Sequence, residues 1–323
     1  MRFLSHTKIV FLLVGILLFG PCVSAQEVDL RTFDYSKADS TALHFAKDKF
    51  QSYKDFVIAL TSKLHTDQEK FRAIYRWIAD NVAYSYSNRS GKADKVVTKR
   101  KAVCAGYASL LEEMCNTAGL ECNTITGWAK NDQELIGKKE PNHAWNEVRL
   151  NGKWYLTDVC WGSGCFDKKK RKFYKGFDSA YFLPTPAFFV KQHLPMNDSL
   201  QLLDKPVKKS WFLKTYVWYE GADEYGILPE SPTKGCVSQN SKKNFTVKFQ
   251  LDTLTHSSSM CNFTVIIDGK EAMNNTAHFS DDKKNGKKSV TLKSSFPSHL
   301  KGGHCLDIYY GGRAICGYAV NFH

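Results

Sequence analysis

A cysteine stands at the start of a predicted helix in the stretch KAVCAGYASLLEEMCNTAGL, residues 101–120. Apolar residues at helical spacing follow Cys104, and Gly119 is typical of a helix end. The start of a helix stabilises a thiolate through its unpaired N–H groups and its dipole, which would make Cys104 a nucleophile. Half of a disulfide and a small buried side chain are the competing interpretations. Gly106 is expected to leave room for a substrate backbone.

A histidine and an aspartate lie on two predicted strands joined by Asn151-Gly152, a strong signal for a two-residue hairpin. Such a loop sets Leu150 opposite Lys153. The same register makes His143 and Asp158 diagonal neighbours on one face. A carboxylate in that position fixes the imidazole tautomer and supports an imidazolium.

A cysteine at a helix start, with a histidine and an aspartate on adjacent strands, is suited to acyl transfer at an amide. The backbone N–H of Cys104 would face the oxyanion that forms during attack. For Cys104, His143 or Asp158 alone, a disulfide, a core histidine or a solvated aspartate is the ordinary interpretation. The combination favours a catalytic site.

The elements that must position these residues are helical first and extended afterwards. Thr66 and Glu69 predict a capping box for a helix that continues to Val82. A further helix is predicted upstream, over residues 45–64. Beyond residue 120 the apolar spacing shifts toward two, which predicts strands over residues 121–130, 142–150 and 153–161.

The rest of the chain divides into two parts. From Asp178 to about Pro232 it is rich in aromatic residues and proline, with little periodicity, and we predict a packed connector. The C-terminal segments alternate between apolar and polar residues, with turn residues between them, which predicts a small antiparallel sandwich. These segments are residues 244–251, 262–270, 288–296, 304–312 and 313–322.

The N-terminus has the pattern of a cleavable secretory signal peptide. Arg2 and Lys8 precede the apolar run Ile9–Phe19, and small residues at positions 23–25 offer a cleavage site. The run is too short to span a bilayer, although an N-terminal anchor is the alternative. We expect residues 1–25 to be removed and the mature protein to be secreted, periplasmic or extracellular, with no transmembrane segment.

The cysteine count bears on Cys104. The sequence has ten cysteines, and loss of Cys22 with the signal peptide leaves an odd number. At least one thiol then stays outside any internal disulfide in an oxidising compartment, as a reactive group or as a buried structural thiol. We expect Cys104 among the free thiols, and we expect Cys160 and Cys165 to form a disulfide rather than bind a metal.

The chain is basic, with a formal net charge of +13 that falls by two, to +11, when Arg2 and Lys8 are removed. Two basic runs, Lys168–Lys172 and the lysines of residues 281–288, account for much of this charge. Such runs are usually solvated loops, and an anionic surface polymer is a candidate partner for them. Nothing in the pattern indicates nucleic-acid binding. No acidic loop has calcium-ligand spacing, so we expect no metal or cofactor.

Three segments carry a family resemblance. VCAGYASLLEEMCNTAGL (103–120), GW (127–128) and NHAWNEVRLNGKWYLTDVCWG (142–162) resemble the transglutaminase-like core, a relative of papain-type cysteine peptidases. Further on, YFLPTPAFFVKQHLPMNDSLQLLDKP (181–206) resembles the connector of the kyphoscoliosis-peptidase-like branch, where a β-rich region follows the core. The resemblance covers roughly residues 65–207.

The resemblance implies an α+β fold, with helices packed on an antiparallel sheet and a C-terminal all-β sandwich-like domain. We place the catalytic domain at residues 26–205, a connector at 206–234 and the sandwich at 235–323.

The resemblance also implies a catalytic triad of Cys104, His143 and Asp158 that forms a thioester, which water or an amine then resolves. The side-chain donor of the oxyanion hole is not placed by the sequence. Tyr84 and Tyr86 lie upstream, but we prefer an ordinary core or surface role for each.

Two functions compete at this point. The leading hypothesis is a secreted cysteine enzyme that acts on amide bonds of a protein or peptide substrate, more as a peptidase or amidase than as a crosslinking transglutaminase. The alternative is a catalytically idle binding or scaffold module on the same fold. The complete triad favours the enzyme, and the unplaced oxyanion donor keeps the alternative open.

Overall fold

The computed structural model describes residues 30, 32–45, 52–130, 140–167, 170–219, 221–240, 244–252, 262–271, 274–282 and 287–323. The predicted signal peptide lies outside these residues. The chain divides into two units, residues 1–33 and residues 34–323. All the helices and strands that are described belong to the second unit. No helix among the described residues is long and apolar enough to cross a membrane.

The first part of the unit is helical, and its third helix confirms the sequence prediction. Thr66 accepts from the N–H of Glu69, and the Glu69 side chain accepts from the N–H of Thr66, a complete capping box. The predicted upstream helix is wrong in extent, since Phe45 ends one helix and the next begins only at Tyr53. The helices are α1 Ser36–His44, α2 Tyr53–Thr61, α3 Asp67–Asn81, α4 Ala93–Lys99 and α5 Cys104–Thr117.

Two short strands, β1 Ala83–Tyr84 and β2 Lys101–Ala102, pair in parallel just before α5. A four-stranded antiparallel sheet then packs against α5. Its first three strands are β3 Cys122–Ala129, β4 His143–Leu150 and β5 Lys153–Thr157.

The β4–β5 hairpin has the predicted register, with Leu150 opposite Lys153. Asn151 and Gly152 both adopt positive φ, 51° and 80°, as the two-residue turn requires. The last paired residues are Asn146 and Thr157, so β5 ends earlier than predicted.

A second hairpin follows β5, made of β6 Gly164–Asp167 and β7 Lys172–Lys175. The chain then enters the segment that we predicted as a connector. Strand β8 lies in this segment and pairs with β3, which gives the sheet order β5-β4-β3-β8. The segment's elements are α6 Pro186–Phe189, β8 His193–Pro195, α7 Lys209–Lys214, β9 Val217–Trp218, α8 Gly221–Glu224 and β10 Ile227–Ser231.

The C-terminal part is a sandwich of two sheets. One has the order β10-β12-β16-β15, and the other has the order β11-β18-β17-β13-β14, with β9 paired to β18. Inward-facing apolar residues of both sheets, such as Phe249 and Ile308, form one buried cluster. The added strands are β11 Cys236–Gln239, β12 Phe245–Asp252, β13 Phe263–Ile267, β14 Lys270–Glu271, β15 Asn275–Asp282, β16 Lys287–Ser294, β17 Gly302–Tyr310 and β18 Arg313–Phe322.

The fold is therefore α+β, as the sequence predicted: helices on an antiparallel sheet, followed by a β-rich region. The sandwich also takes in β9 and β10, which come from the predicted connector. Cys160 carries a free, buried thiol, so the predicted disulfide with Cys165 is not formed. Cys160 lies in the buried turn after β5, whereas Cys165 is exposed on β6.

Candidate functional site

Cys104 is the first residue of α5, preceded by Val103 in an extended conformation. The Val103 carbonyl accepts from the N–H groups of Gly106 and Tyr107, at 2.9 and 3.1 Å. The N–H groups of Cys104 and Ala105 come before these in the helix, and the first N–H groups of a helix have no carbonyl acceptor within it. The partly exposed Cys104 sulfur thus lies at the positive end of the helix dipole.

Gly106 does not serve the substrate. A Cβ at this position would lie 2.9 Å from the Ala102 Cβ and 3.1 Å from the Ser90 carbonyl oxygen. The glycine therefore allows the first turn of α5 to pack closely against β2 and the segment before α4. The expectation that Gly106 leaves room for a substrate backbone is wrong, because the side on which a Cβ would stand faces the protein interior.

His143 is the first residue of β4, and its side chain lines the same cavity as the Cys104 thiol. His143 and the backbone of Ala144 lower the pKa of that thiol. Asn146 fixes the strand against the helix, because its Nδ2 donates to the Ala108 carbonyl at 2.9 Å. This buried contact between β4 and α5 holds the thiol beside the imidazole.

Asp158 lies one residue beyond β5, and its Oδ2 is 2.7 Å from His143 Nε2. Its Oδ1 accepts from the N–H groups of Cys160 and Trp161, at 2.8 and 3.0 Å. These two bonds set the rotation of the carboxylate. The predicted proximity of His143 and Asp158 is confirmed, with His143 Nε2 facing Asp158 and Nδ1 left for the thiol.

Burial disfavours the charged form of all three groups, but their contacts shift each pKa further in the opposite direction. Burial lowers the pKa of His143, but the charge of Asp158 and the bond to it raise that pKa to about 10. Burial raises the pKa of Asp158, but His143 and a second histidine hold it well below its ordinary value. Burial likewise raises the pKa of Cys104, which the bond and charge of His143 bring below its ordinary value. Both shifts favour the thiolate and the imidazolium more than in an ordinary thiol and an ordinary imidazole.

His193, at the start of β8, is the residue that sequence reasoning missed. Its Nε2 lies 3.0 Å from Asp158 Oδ2, the oxygen that also faces His143. Its ring stacks on Phe189 with 4.0 Å between centroids, and the Trp161 centroid is 4.4 Å away.

The protonation state of His193 follows from its surroundings. Burial lowers the pKa of His193 to about 4, against the pull of Asp158. His193 Nδ1 is buried and has no hydrogen-bond partner among the described residues. A proton there would be an unpaired buried donor, so His193 is a neutral ring that donates its Nε2–H to Asp158.

His143, Asp158 and His193 are the one set of described residues whose donor atoms converge as in a metal site. Both Nε2 atoms already bond Asp158 Oδ2, and these bonds account for the cluster without an ion. We therefore interpret it as a hydrogen-bonded acid–base site.

A cavity of about 540 Å³ opens beside Cys104 and His143. Tyr84 and Tyr86 both lie on its wall, with 5.5 Å between their ring centroids. Tyr84 is partly buried, and burial raises its pKa, so its phenol stays protonated. The interpretation of each tyrosine as an ordinary core or surface residue is thus incomplete, because both residues also line the site.

Known proteins share this core. Residues 54–159 match the family model of the transglutaminase-like superfamily. Kyphoscoliosis peptidase of Mus musculus is 31% identical over 261 residues, which cover 77% of this chain and 37% of the relative. The Homo sapiens kyphoscoliosis peptidase is 32% identical over 229 residues, 67% of this chain and 33% of the relative. The LIM and transglutaminase domain protein ltd-1 of Caenorhabditis elegans is 26% identical over 204 residues, which cover 58% of this chain and 28% of the relative.

The chain spans about a third of the length of the curated relatives that it matches. The matched family region contains Cys104, His143 and Asp158 and ends directly after the last of them. The chain therefore belongs to the transglutaminase-like superfamily, in the branch that includes kyphoscoliosis peptidase.

Proposed function

We propose that the protein is a cysteine-dependent enzyme that acts on amide bonds through Cys104, His143 and Asp158. The observation that carries the proposal is that the Cys104 thiol and the His143 imidazole line one cavity, with His143 Nε2 2.7 Å from the buried Asp158 carboxylate. The cavity is large enough for a substrate side chain.

In the proposed reaction, the Cys104 thiolate attacks the amide carbonyl carbon. The oxyanion that forms accepts hydrogen bonds from the N–H groups of Cys104 and Ala105 at the helix start. The His143 imidazolium gives its proton to the leaving amine, and a thioester remains on Cys104. His143, now neutral, takes a proton from water as the water attacks the thioester, and the thiolate is restored.

We propose water as the acceptor, which makes the protein a peptidase or amidase rather than a crosslinking enzyme. The relatives that support this choice are named peptidases. An amine could enter the same cavity and resolve the same thioester. Incubation with a mixed peptide library, with and without a primary amine, separates the two by mass spectrometry: free carboxylates indicate hydrolysis, and new amides indicate transfer.

We further propose that the protein acts outside the cytoplasm on a protein or peptide. The signal-peptide pattern of residues 1–25 supports this location, and the basic runs support attraction to an anionic surface polymer.

The triad is testable without a known substrate. A thiolate paired with an imidazolium reacts with iodoacetamide well below the ordinary thiol pKa of about 8.5. We expect Cys104 to label at about pH 6 and the buried thiol of Cys316 to stay unlabelled. His143→Ala should reduce the labelling of Cys104 at about pH 6 while leaving it at alkaline pH, with circular dichroism as the control for folding.

Labelling of Cys104 only above neutral pH, unchanged by His143→Ala, would show that the pair is not formed. The idle binding module would then be the better hypothesis. One relative, the LIM and transglutaminase domain protein, is named for its domains and not for an activity.

A further inference from the structure

The β6–β7 hairpin stands beside the nucleophile but outside the matched family region, which ends at residue 159. Residues 164–166 and 173–175 of this hairpin line the same cavity as Cys104. Phe166 and Phe173 are direct partners in the ladder, so their side chains lie on one face of the hairpin. The hairpin thus adds aromatic surface at the entrance of a site that the core alone would leave open.

The aromatic surface continues onto the strand before α4. The ring centroid of Phe166 lies 5.2 Å from that of Tyr84 and 5.4 Å from that of Tyr86. This surface is not part of the core: Tyr86 is 43% exposed, whereas the helix aromatics Tyr75 and Trp77 are at most 1% exposed. Exposed aromatic surface concentrated in a concave site is typical of ligand binding.

Aromatic rings also line the cavity next to His143. Trp161 is partly buried, with its ring centroid 5.3 Å from that of His143. Tyr181 meets Trp161 edge to face at 5.4 Å. A side chain that enters the cavity would therefore meet aromatic rings near both Cys104 and His143.

The two amide side chains that line the cavity are already hydrogen-bonded within the protein. The Asn142 amide bonds the N–H and the carbonyl of Ala129, at 2.8 and 3.0 Å. Gln192 donates to the Trp218 carbonyl and accepts from the Tyr181 hydroxyl.

The charged groups on the wall are also engaged. Lys175 Nζ donates to the backbone carbonyl of Asp80. Asp178 accepts from the N–H of Ala180 at 2.9 Å. A polar substrate side chain would lose bonds to water and compete with the bonds that these groups already make, whereas an apolar one has no such bonds to lose.

We propose that this cavity is the side-chain pocket of the site and that it selects substrates with an aromatic or large aliphatic side chain next to the attacked carbonyl. The proposal rests on the function proposed above, since it names the substrate class of the same site. The pocket is built by the hairpin, so Phe166 and its ladder partner Phe173 determine specificity without taking part in bond making.

The test compares two reagents with the same reactive group, iodoacetamide and N-benzyl iodoacetamide, and includes the polar N-carboxymethyl iodoacetamide as a control. It measures the rate of alkylation of Cys104 by mass spectrometry at about pH 6. Rates with glutathione correct for intrinsic reactivity. We expect the corrected rate to favour the benzyl reagent by on the order of 10-fold or more, because the ring leaves water for the pocket. N-carboxymethyl iodoacetamide, which is polar, should show no such gain.

Phe166→Ala should reduce the benzyl preference toward one while the rate with iodoacetamide itself stays near the wild-type value. The matched control is Phe279→Ala, which removes a ring that is 56% exposed on the sandwich, outside the cavity. If Phe166→Ala fails to fold, Phe173→Ala replaces it, since Phe173 is the ladder partner of Phe166 and lines the same cavity.

A benzyl preference near one in the wild type, or one that survives the hairpin substitution, overturns the pocket while the triad stands. Failure of both reagents to label Cys104 at about pH 6 overturns the proposed function instead.

Discussion

Two aspartate–histidine pairs in the molecule have the same separation and different surroundings. In the core, His143 Nε2 lies 2.7 Å from Asp158, with side chains 7% and 1% exposed. In the sandwich, His304 Nδ1 lies 2.7 Å from Asp268, with side chains 18% and 45% exposed. The hydrogen-bond length therefore does not distinguish them.

What differs is the second ring nitrogen. His143 offers it to the thiol of Cys104, whereas His304 Nε2 faces the backbone carbonyl of Lys301 at 3.1 Å. The sandwich pair is a closed surface bridge, and the core pair is open toward a nucleophile. An ion pair at the surface contributes about 0–1 kcal/mol, but one in the interior must be compensated by further bonds. Asp158 has these bonds from two backbone N–H groups and from His193.

The largest difference between the pairs should appear in activity. Asp158→Asn keeps an acceptor for the N–H groups of Cys160 and Trp161, but it removes the charge that supports the His143 imidazolium. We expect the rate of peptide cleavage to fall by about 10³- to 10⁴-fold, by analogy with other orienting aspartates. Asp268→Asn, the matched change in the sandwich, should leave the rate within about twofold of wild type.

The measurement is kcat/KM on a substrate found in the peptide library, with circular dichroism of both variants. A folded Asp158→Asn variant with unchanged activity would remove this residue from the mechanism. A comparable loss in Asp268→Asn would mean that the sandwich pair also contributes.

The part of the site that could be predicted from the sequence depends on residues that are close together in the chain. The helix start at Cys104 and the Asn151-Gly152 turn are encoded by neighbouring residues, and the turn fixes the register that brings His143 to Asp158. The apolar periodicities predict helices followed by strands, and the family resemblance implies how they combine in an α+β fold.

The missed features are those that distant contacts decide. His193 reaches Asp158 because the three-residue strand β8 pairs with β3, and a strand that short has no periodicity to detect. Gly106 was interpreted as substrate space because its contacts with Ala102 and Ser90 depend on how α5 meets β2. The prediction of a disulfide between Cys160 and Cys165 was wrong for the same reason, since a count of cysteines does not show which thiols the fold buries.

The next largest difference should appear in stability. His193→Ala removes a buried ring stacked on Phe189 and takes one hydrogen bond from Asp158. We expect the free energy of unfolding to fall by about 2–4 kcal/mol, from cavity formation and the poorer solvation of the carboxylate. His304→Ala acts at the surface and should cost about 0.5 kcal/mol or less.

Urea denaturation at about pH 7 compares the two variants with wild type. His193→Gln serves as a further control, because its amide can still donate to Asp158, and it should lose less than His193→Ala. Equal losses for His193→Ala and His304→Ala would contradict the view that the core histidine is part of a buried network.

The smallest effect concerns the dependence of stability on pH. The folded-state pKa of His193 is lowered to about 4 from an ordinary 6.5. Between these values the unfolded chain binds a proton that the folded chain does not. The contribution of His193 is therefore complete above about pH 6.5 and is lost as the pH falls toward 4. One such proton gives a slope of at most about 1.4 kcal/mol per pH unit.

His193→Gln has no proton to bind, so its free energy of unfolding should fall less steeply than that of wild type between about pH 6.5 and 4. The difference in slope isolates His193, since every carboxylate and the Cys104–His143 pair are present in both proteins. His304 behaves in the opposite sense, because its bond to Asp268 raises its pKa. His304→Gln should therefore leave the acid slope unchanged or slightly steeper. Parallel curves for wild type and His193→Gln, measured by urea denaturation, would mean that His193 is protonated in the fold and that Asp158 is shared by two imidazolium ions.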